Sequence, residues 1–203
     1  MKRILPISLC LILTLLTSCA SKYKLINPEK INYVSKNENK DVSLEYKYDL
    51  LHKKYAKKEE NKDIKVVAVK ITNNSDRDLT LGRDMKLAFD NGNDIHILES
   101  EKVFDELKQK PAFYLFYLLL TPLNLYTTNS RGETEDSVPI GLIVGPGLAA
   151  GNLLGASGAN KNFKEELMHY DIYGMEIPKG QTKYGLIGIK SDSYETLVLK
   201  VEE

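Results

Sequence analysis

The stretch Ile64-Lys65-Val66-Val67-Ala68-Val69-Lys70-Ile71 runs into Thr72-Asn73-Asn74-Ser75-Asp76, and this junction decides the fold class. A short run rich in β-branched and apolar side chains has the length and composition of a strand. The polar residues after it supply turn chemistry, because Asn and Asp tolerate positive φ and Ser caps locally. Downstream, Leu79-Thr80-Leu81-Gly82 resumes an extended run, and Met85, Leu87 and Phe89 alternate with Lys86 and Ala88. Asp90-Asn91-Gly92-Asn93-Asp94 then carries the Asn-Gly signal of a hairpin, with Ile95 and Ile97 on the returning strand. Upstream, Val42, Leu44, Tyr46, Tyr48 and Leu50 alternate with Ser43, Glu45, Lys47 and Asp49, the period of a half-buried strand. At the other end Pro178-Lys179-Gly180 turns the chain. Tyr184–Ile189 is a strand, Ser191-Asp192-Ser193 turns again, and Thr196–Val201 closes with Leu197, Leu199 and Val201 in alternation. Short strands between polar turns predict a mainly β fold, an antiparallel β-sandwich formed by residues 41–99 and 175–203.

That order of strands and turns resembles the immunoglobulin-like modules of bacterial envelope lipoproteins. The resemblance implies an Ig-like sandwich over the same residues and speaks to fold, not to function.

Residues 100–174 read differently. Ser100–Lys110 has helical spacing, with Val103, Phe104 and Leu107 on one face. Pro111–Ser130 contains no charged residue, Arg131–Asp136 is a charged tip, and Ser137–Asn160 is again free of charge. Asn162–Tyr170 has the spacing of a helix exit. The prediction is an apolar helical hairpin inserted between strands of the sandwich. Pro146 is expected to bar an uninterrupted helix from Ser137, so the second helix should begin near Gly147. Glycines four apart let another backbone approach closely. Phe113, Phe116, Leu119, Gly147, Gly151 and Gly155 are therefore the candidate packing or interaction surface. Three destinations are open for it: burial against the sandwich, contact with or insertion in a membrane, and association with a second copy or another envelope protein. The Pro139-Ile140-Gly141-Leu142, Gly145-Pro146-Gly147 and Asn152-Leu153 block, followed by Phe163-Lys164-Glu165-Glu166-Leu167, is similar to one in uncharacterised envelope lipoproteins. That similarity brings no activity with it.

The N-terminus reads as an address. Lys2 and Arg3 precede the apolar Ile4–Leu16, and Leu16-Thr17-Ser18-Cys19 follows. A short apolar stretch behind a basic start is a secretory signal, too short to span a membrane. The final tetrad resembles the bacterial lipobox, which implies removal of residues 1–18 and lipidation of Cys19. With Ala20 rather than Asp next, the resemblance implies the outer membrane, on a face the sequence does not specify. Residues 19–40, polar with Pro28 in their middle, are expected to act as a tether, with a short strand at Lys30–Ser35. Cys10 leaves with the signal, so the mature chain would hold no disulfide and no Cys-ligated metal.

Composition narrows the function classes. The 203 residues carry 28 basic and 28 acidic side chains, a balance that gives no reason to expect nucleic acid. Lys53–Asp63 mixes both signs and reads as a solvated loop or fraying turn. Gly145-Pro146-Gly147-Leu148-Ala149-Ala150 fits a dinucleotide-binding fingerprint, with Glu165 at the right distance. Yet Glu165 falls in a helical pattern, and no β-α alternation surrounds the motif. Gly155-Ala156-Ser157-Gly158-Ala159 misses the nucleophile elbow by its last residue. His52, His96 and His169 are scattered without ligand spacing. The oxygens of Asp90–Asp94 lack the Glu of a calcium loop. No catalytic residue, cofactor or metal ligand is assigned. The expectation is a non-catalytic outer-membrane lipoprotein serving as an envelope binding or structural module. The alternatives are an envelope hydrolase acting on a cell-wall or surface polymer, and capture of an apolar ligand between hairpin and sandwich.

Overall fold

The computed structural model describes residues 19–202. The expected signal peptide and the Leu16–Ser18 part of the lipobox-like motif lie outside them.

The described chain holds eleven strands, all in antiparallel sheets, and three α-helices. The strands are β1 (Ser35–Asn39), β2 (Val42–Lys47), β3 (Ile64–Asn73), β4 (Leu79–Thr80), β5 (Met85–Phe89), β6 (Ile97–Leu98), β7 (Leu125–Thr128), β8 (Thr134–Val138), β9 (Glu176–Ile177), β10 (Thr182–Lys190) and β11 (Leu197–Val201). The helices are α1 (Lys54–Lys62), α2 (Ser100–Leu107) and α3 (Gly141–His169), and a 3₁₀ segment covers Pro111–Leu120. Two compact units divide the described chain: residues 19–22 with 109–159, and residues 23–108 with 160–202.

The second unit holds most of the strands. A five-stranded sheet runs β1-β2-β3-β10-β6, and β5 pairs with β11 in a separate two-stranded sheet. Alternation sets the faces. Val67, Val69 and Ile71 of β3 join Val42, Leu44, Leu87, Ile187, Ile189, Leu197 and Leu199 in one buried core shared by the two sheets. β11 lies against β1 and β2, while α1 contacts β3 and α2 contacts β10. Gly188 makes the last contact close: a Cβ there would stand 2.1 Å from Val103 Cγ2.

Several expectations are corrected here. Residues 23–39 are not a free tether. Strand β1 covers Ser35–Asn39 rather than 30–35, and it pairs with β2 through a two-residue turn. Both turn residues, Lys40 and Asp41, have positive φ, the geometry that follows strand twist. Lys53–Asp63 contains a helix, because Tyr55 and Glu59 are buried one turn apart and Asp63 closes it in a left-handed conformation. The Asn91-Gly92 turn forms, with Gly92 at φ 90°, but its return does not pair on as a hairpin strand. After a bridge at Ala88–Asp94 the chain crosses over, so β6 pairs with β10 and leaves β5 to β11. The second unit also takes in residues 100–108 and 160–174, which were expected in the insert.

In the first unit the expected helical hairpin is also changed. One arm is the 3₁₀ segment, the connection is a β-hairpin of β7 and β8, and α3 starts at Gly141 with Pro146 inside it. Pro146 sits in the second turn of the helix, where it forfeits the hydrogen bond its missing N–H would have made to Leu142 and its ring crowds that carbonyl.

Candidate functional site

The 3₁₀ segment reads Pro111-Ala-Phe-Tyr-Leu-Phe-Tyr-Leu-Leu-Leu120, and its period of three decides which side chains meet. A 3₁₀ helix stacks residues i and i+3. Tyr114 and Tyr117 therefore share one side and are buried with parallel rings 6.4 Å apart. They cluster with Ala149 and Ala156 of α3, and Leu120, Leu148 and Ala20 pack around them. Phe113, Phe116 and Leu119 share another side and face outward, with the two Phe rings 6.3 Å apart. Their exposures reach 66% at Phe116 and 73% at Leu119.

The glycines divide by the same geometry. Gly141 and Gly145 permit the close approach: a Cβ on Gly141 would meet Leu120 O at 2.1 Å, and one on Gly145 would meet Tyr117 O at 3.1 Å. Gly147 and Gly151 face open space, and Gly155 meets only Ala20 Cβ at 3.7 Å. Phe113, Phe116 and Leu119 thus do not pack on Gly147, Gly151 or Gly155. Phe113, Phe116 and Leu119 form an exposed stripe, Gly147 and Gly151 an open one. The outward residues of α3 extend the apolar surface, Ile143 at 79% and Leu154 at 69% exposure. Water rarely covers so much contiguous apolar area in a monomer.

Cys19 is exposed and carries a free thiol. The residues after it are fastened to the same unit. Ala20 N donates to Asn152 Oδ1 at 2.5 Å, Ser21 N donates to Gln109 Oε1 at 3.0 Å, and Gln109 Nε2 returns a bond to Ser21 O at 2.6 Å. Asn152 in turn donates to Leu148 O. Sequence periodicity signals none of these partners: Asn152 is a single polar residue in an apolar run, and Gln109 stands between Lys108 and Lys110 like any solvent-facing residue.

β7 and β8 are exposed throughout, and the charged tip stands on them: Arg131 and Glu133 in the turn, Glu135 and Asp136 on β8. Asn129 Oδ1 organises the turn by accepting from the Arg131 and Glu133 amides.

In the second unit the titratable groups serve structure. Glu166 is buried and accepts from Tyr23 OH at 2.5 Å, from Ile26 N at 2.9 Å and from Asn27 N at 3.0 Å. Burial first, and then Glu166, push the Tyr23 hydroxyl's pKa far above its usual range. Tyr23, Tyr55 and Phe163 meet ring to ring at 5.0–5.4 Å, and Tyr55 OH donates to Asn160 Oδ1 at 2.9 Å. An open cleft of about 510 Å³ includes His169, Glu165 and Glu166, but Glu166 is already committed to its three donors. His96 lines a different cavity of about 200 Å³ with Asp94 and Tyr173, and His52 precedes α1. Among the described residues no group of three or more His, Cys, Asp and Glu is placed to hold a metal ion.

No protein-family model, curated protein or solved structure matches the chain.

Proposed function

We propose that the chain is a bacterial lipoprotein of the outer membrane, anchored through Cys19, whose β-rich unit is a non-catalytic binding or structural module of the envelope. The observation that carries this reading is the setting of Cys19. It is exposed at the point where the lipobox-like Leu16-Thr17-Ser18-Cys19 ends, and the two residues behind it are held by Asn152 and Gln109. A lipid there would be fixed close to the folded unit. The core shared between the five-stranded sheet and the β5–β11 pair supports an Ig-like sandwich as the module's fold. The buried carboxylates support a structural role for the polar residues, since Glu166 and Glu59 each accept bonds from protein donors.

Labelling with radioactive palmitate tests the anchor. The chain expressed with residues 1–18 should incorporate label and lose it in Cys19→Ala. A wild-type chain that matures without label would refute the lipoprotein reading.

A further inference from the structure

α3 has no polar side over the part that belongs to the first unit. From Gly141 to Ala159 each outward position is uncharged, large and apolar at Leu142, Ile143 and Leu154, and elsewhere mostly small. A helix on a protein surface needs a polar face, and one lying along a membrane surface needs a charged face. A helix without either belongs in an apolar medium. The stretch Gly141–Asn160 spans about 30 Å at 1.5 Å per residue, the thickness of a bilayer's hydrocarbon. The 3₁₀ segment packed on it is equally free of charge.

The distribution of backbone and charge selects lipid over a protein groove. Both helical segments bond most of their backbone groups internally, as hydrocarbon demands, the Leu142 carbonyl opposite Pro146 being the exception within α3. The β7–β8 pair has open edges that hydrocarbon would not tolerate, and it is there that Arg131, Glu133, Glu135 and Asp136 collect. Beyond the other end of the stretch come Lys161 and Lys164. Along the chain, charges thus precede and follow Ser137–Asn160 and are missing within it. Cys19 adds an independent sign: Ala20, its neighbour, packs on α3 at Asn152 and Gly155. Acyl chains on Cys19 would start beside the same helix.

We propose that α3, with the 3₁₀ segment against it, inserts across a lipid bilayer and that the β7–β8 tip emerges into water beyond Gly141. The insertion rests on the apolar unit itself and holds with or without an acyl group on Cys19.

The chain has no Trp, so a single introduced one is a unique probe. Ile143→Trp, Ala150→Trp and Ser157→Trp replace outward residues near one end, the middle and the other end of the stretch. Each full chain is reconstituted in phosphatidylethanolamine–phosphatidylglycerol vesicles carrying doxyl quenchers at a shallow or a deep acyl position. The expected result is strongest deep quenching for Ala150→Trp, with both end variants favouring the shallow quencher. Equal shallow quenching of all three would mean a helix lying flat, and would overturn the proposal. Absence of quenching, with blue-shifted emission and cross-linked dimers in lipid-free buffer, would assign the surface to a second copy and also overturn it. The same series on a Cys19→Ala background separates the two readings. A gradient that survives Cys19→Ala belongs to the apolar unit itself. A wild-type chain with the gradient but without palmitate label refutes the lipoprotein reading alone, and a wild-type chain with label but no gradient refutes insertion alone.

Discussion

Glu59→Gln is expected to stabilise the β-rich unit at neutral and alkaline pH and to leave it unchanged near pH 4. Glu59 is only 4% exposed, on the inward side of α1, and accepts a hydrogen bond from Val66 N at 2.7 Å. Burial pushes its carboxyl from 4.5 up to about 7, against the Val66 bond and nearby Lys65, which favour the charged form. In the unfolded chain the same carboxyl titrates near its ordinary value. Between about pH 4.5 and 7 the folded state therefore holds a proton that the unfolded state has released, and stability falls as pH rises through that window. Above it the cost of the buried charge is roughly 3 kcal/mol, at about 1.4 kcal/mol per pH unit. Gln at position 59 keeps an acceptor for the Val66 amide and removes the charge. The quantity to measure is the difference between variant and wild type, since other groups titrate in both. Thermal unfolding in mild detergent, followed by tyrosine near-ultraviolet circular dichroism, should show no difference at pH 4. At pH 8 the variant should melt roughly 6–12 °C higher for a chain of this size. A difference that stays constant from pH 4 to pH 8 would refute the reasoning. So would a wild type that is the more stable at pH 8, because the Val66 bond would then outweigh burial.

The glycines of α3 should separate sharply. Gly141→Ala sets a Cβ against the backbone of Leu120, Thr121 and Leu123, which cannot move cheaply, and should destabilise the 3₁₀–α3 packing by about 1–3 kcal/mol. Gly151→Leu enters open space and should leave that packing intact, both read by protease sensitivity at residues 111–124. Glu166→Ala removes the acceptor shared by Tyr23 OH, Ile26 N and Asn27 N, at a cost of about 1–3 kcal/mol, and should speed amide exchange at Ile26 and Asn27. Unchanged exchange there would mean that the 23–27 segment is held by its ring contacts instead.

Much of the β-rich unit was legible because its strands carry one of two signals. In β2 and β11 the buried apolar side chains recur at every second position, whereas β3 and β10 have continuous buried runs and read as short β-branched or apolar stretches; the polar residues between strands mark the turns. What escaped were elements whose signal is tertiary. β1 reads Ser-Lys-Asn-Glu-Asn, polar throughout, and exists because β2 offers an edge and because Lys40 and Asp41 accept positive φ. α1 is two-thirds Lys and Glu, and only Tyr55 and Glu59, one turn apart, find burial. Glu59 in particular looks like a solvent residue until the Val66 amide is placed above it. The Asn-Gly turn was read correctly, while its pairing was not: a turn sets where the chain reverses, and the competing edge of β11 sets where it goes next.

The apolar unit was legible in extent but not in phase, and the reason is chemical. A burial pattern is readable when polar residues mark the outside. From Pro111 to Leu120 and from Gly141 to Ala159 there is no charge to mark it, so the contrast that would orient each segment is absent. Glycine spacing alone pointed to Gly147, Gly151 and Gly155, one turn too far along the helix. The true contacts at Gly141 and Gly145 follow from a helix that begins before Pro146 and carries that proline in its second turn. A second period was present in the sequence. Phe113-Tyr114-Leu115 is followed by Phe116-Tyr117-Leu118, a repeat of three that matches a 3₁₀ helix and puts both tyrosines on one side. The two hydroxyl-bearing rings turn inward, where Gln109 offers Tyr114 a partner at 3.4 Å, and the two phenylalanines turn outward. A segment folding for water would do the reverse. That inversion, polar rims inside and apolar rings outside, is the arrangement that the proposed bilayer insertion requires.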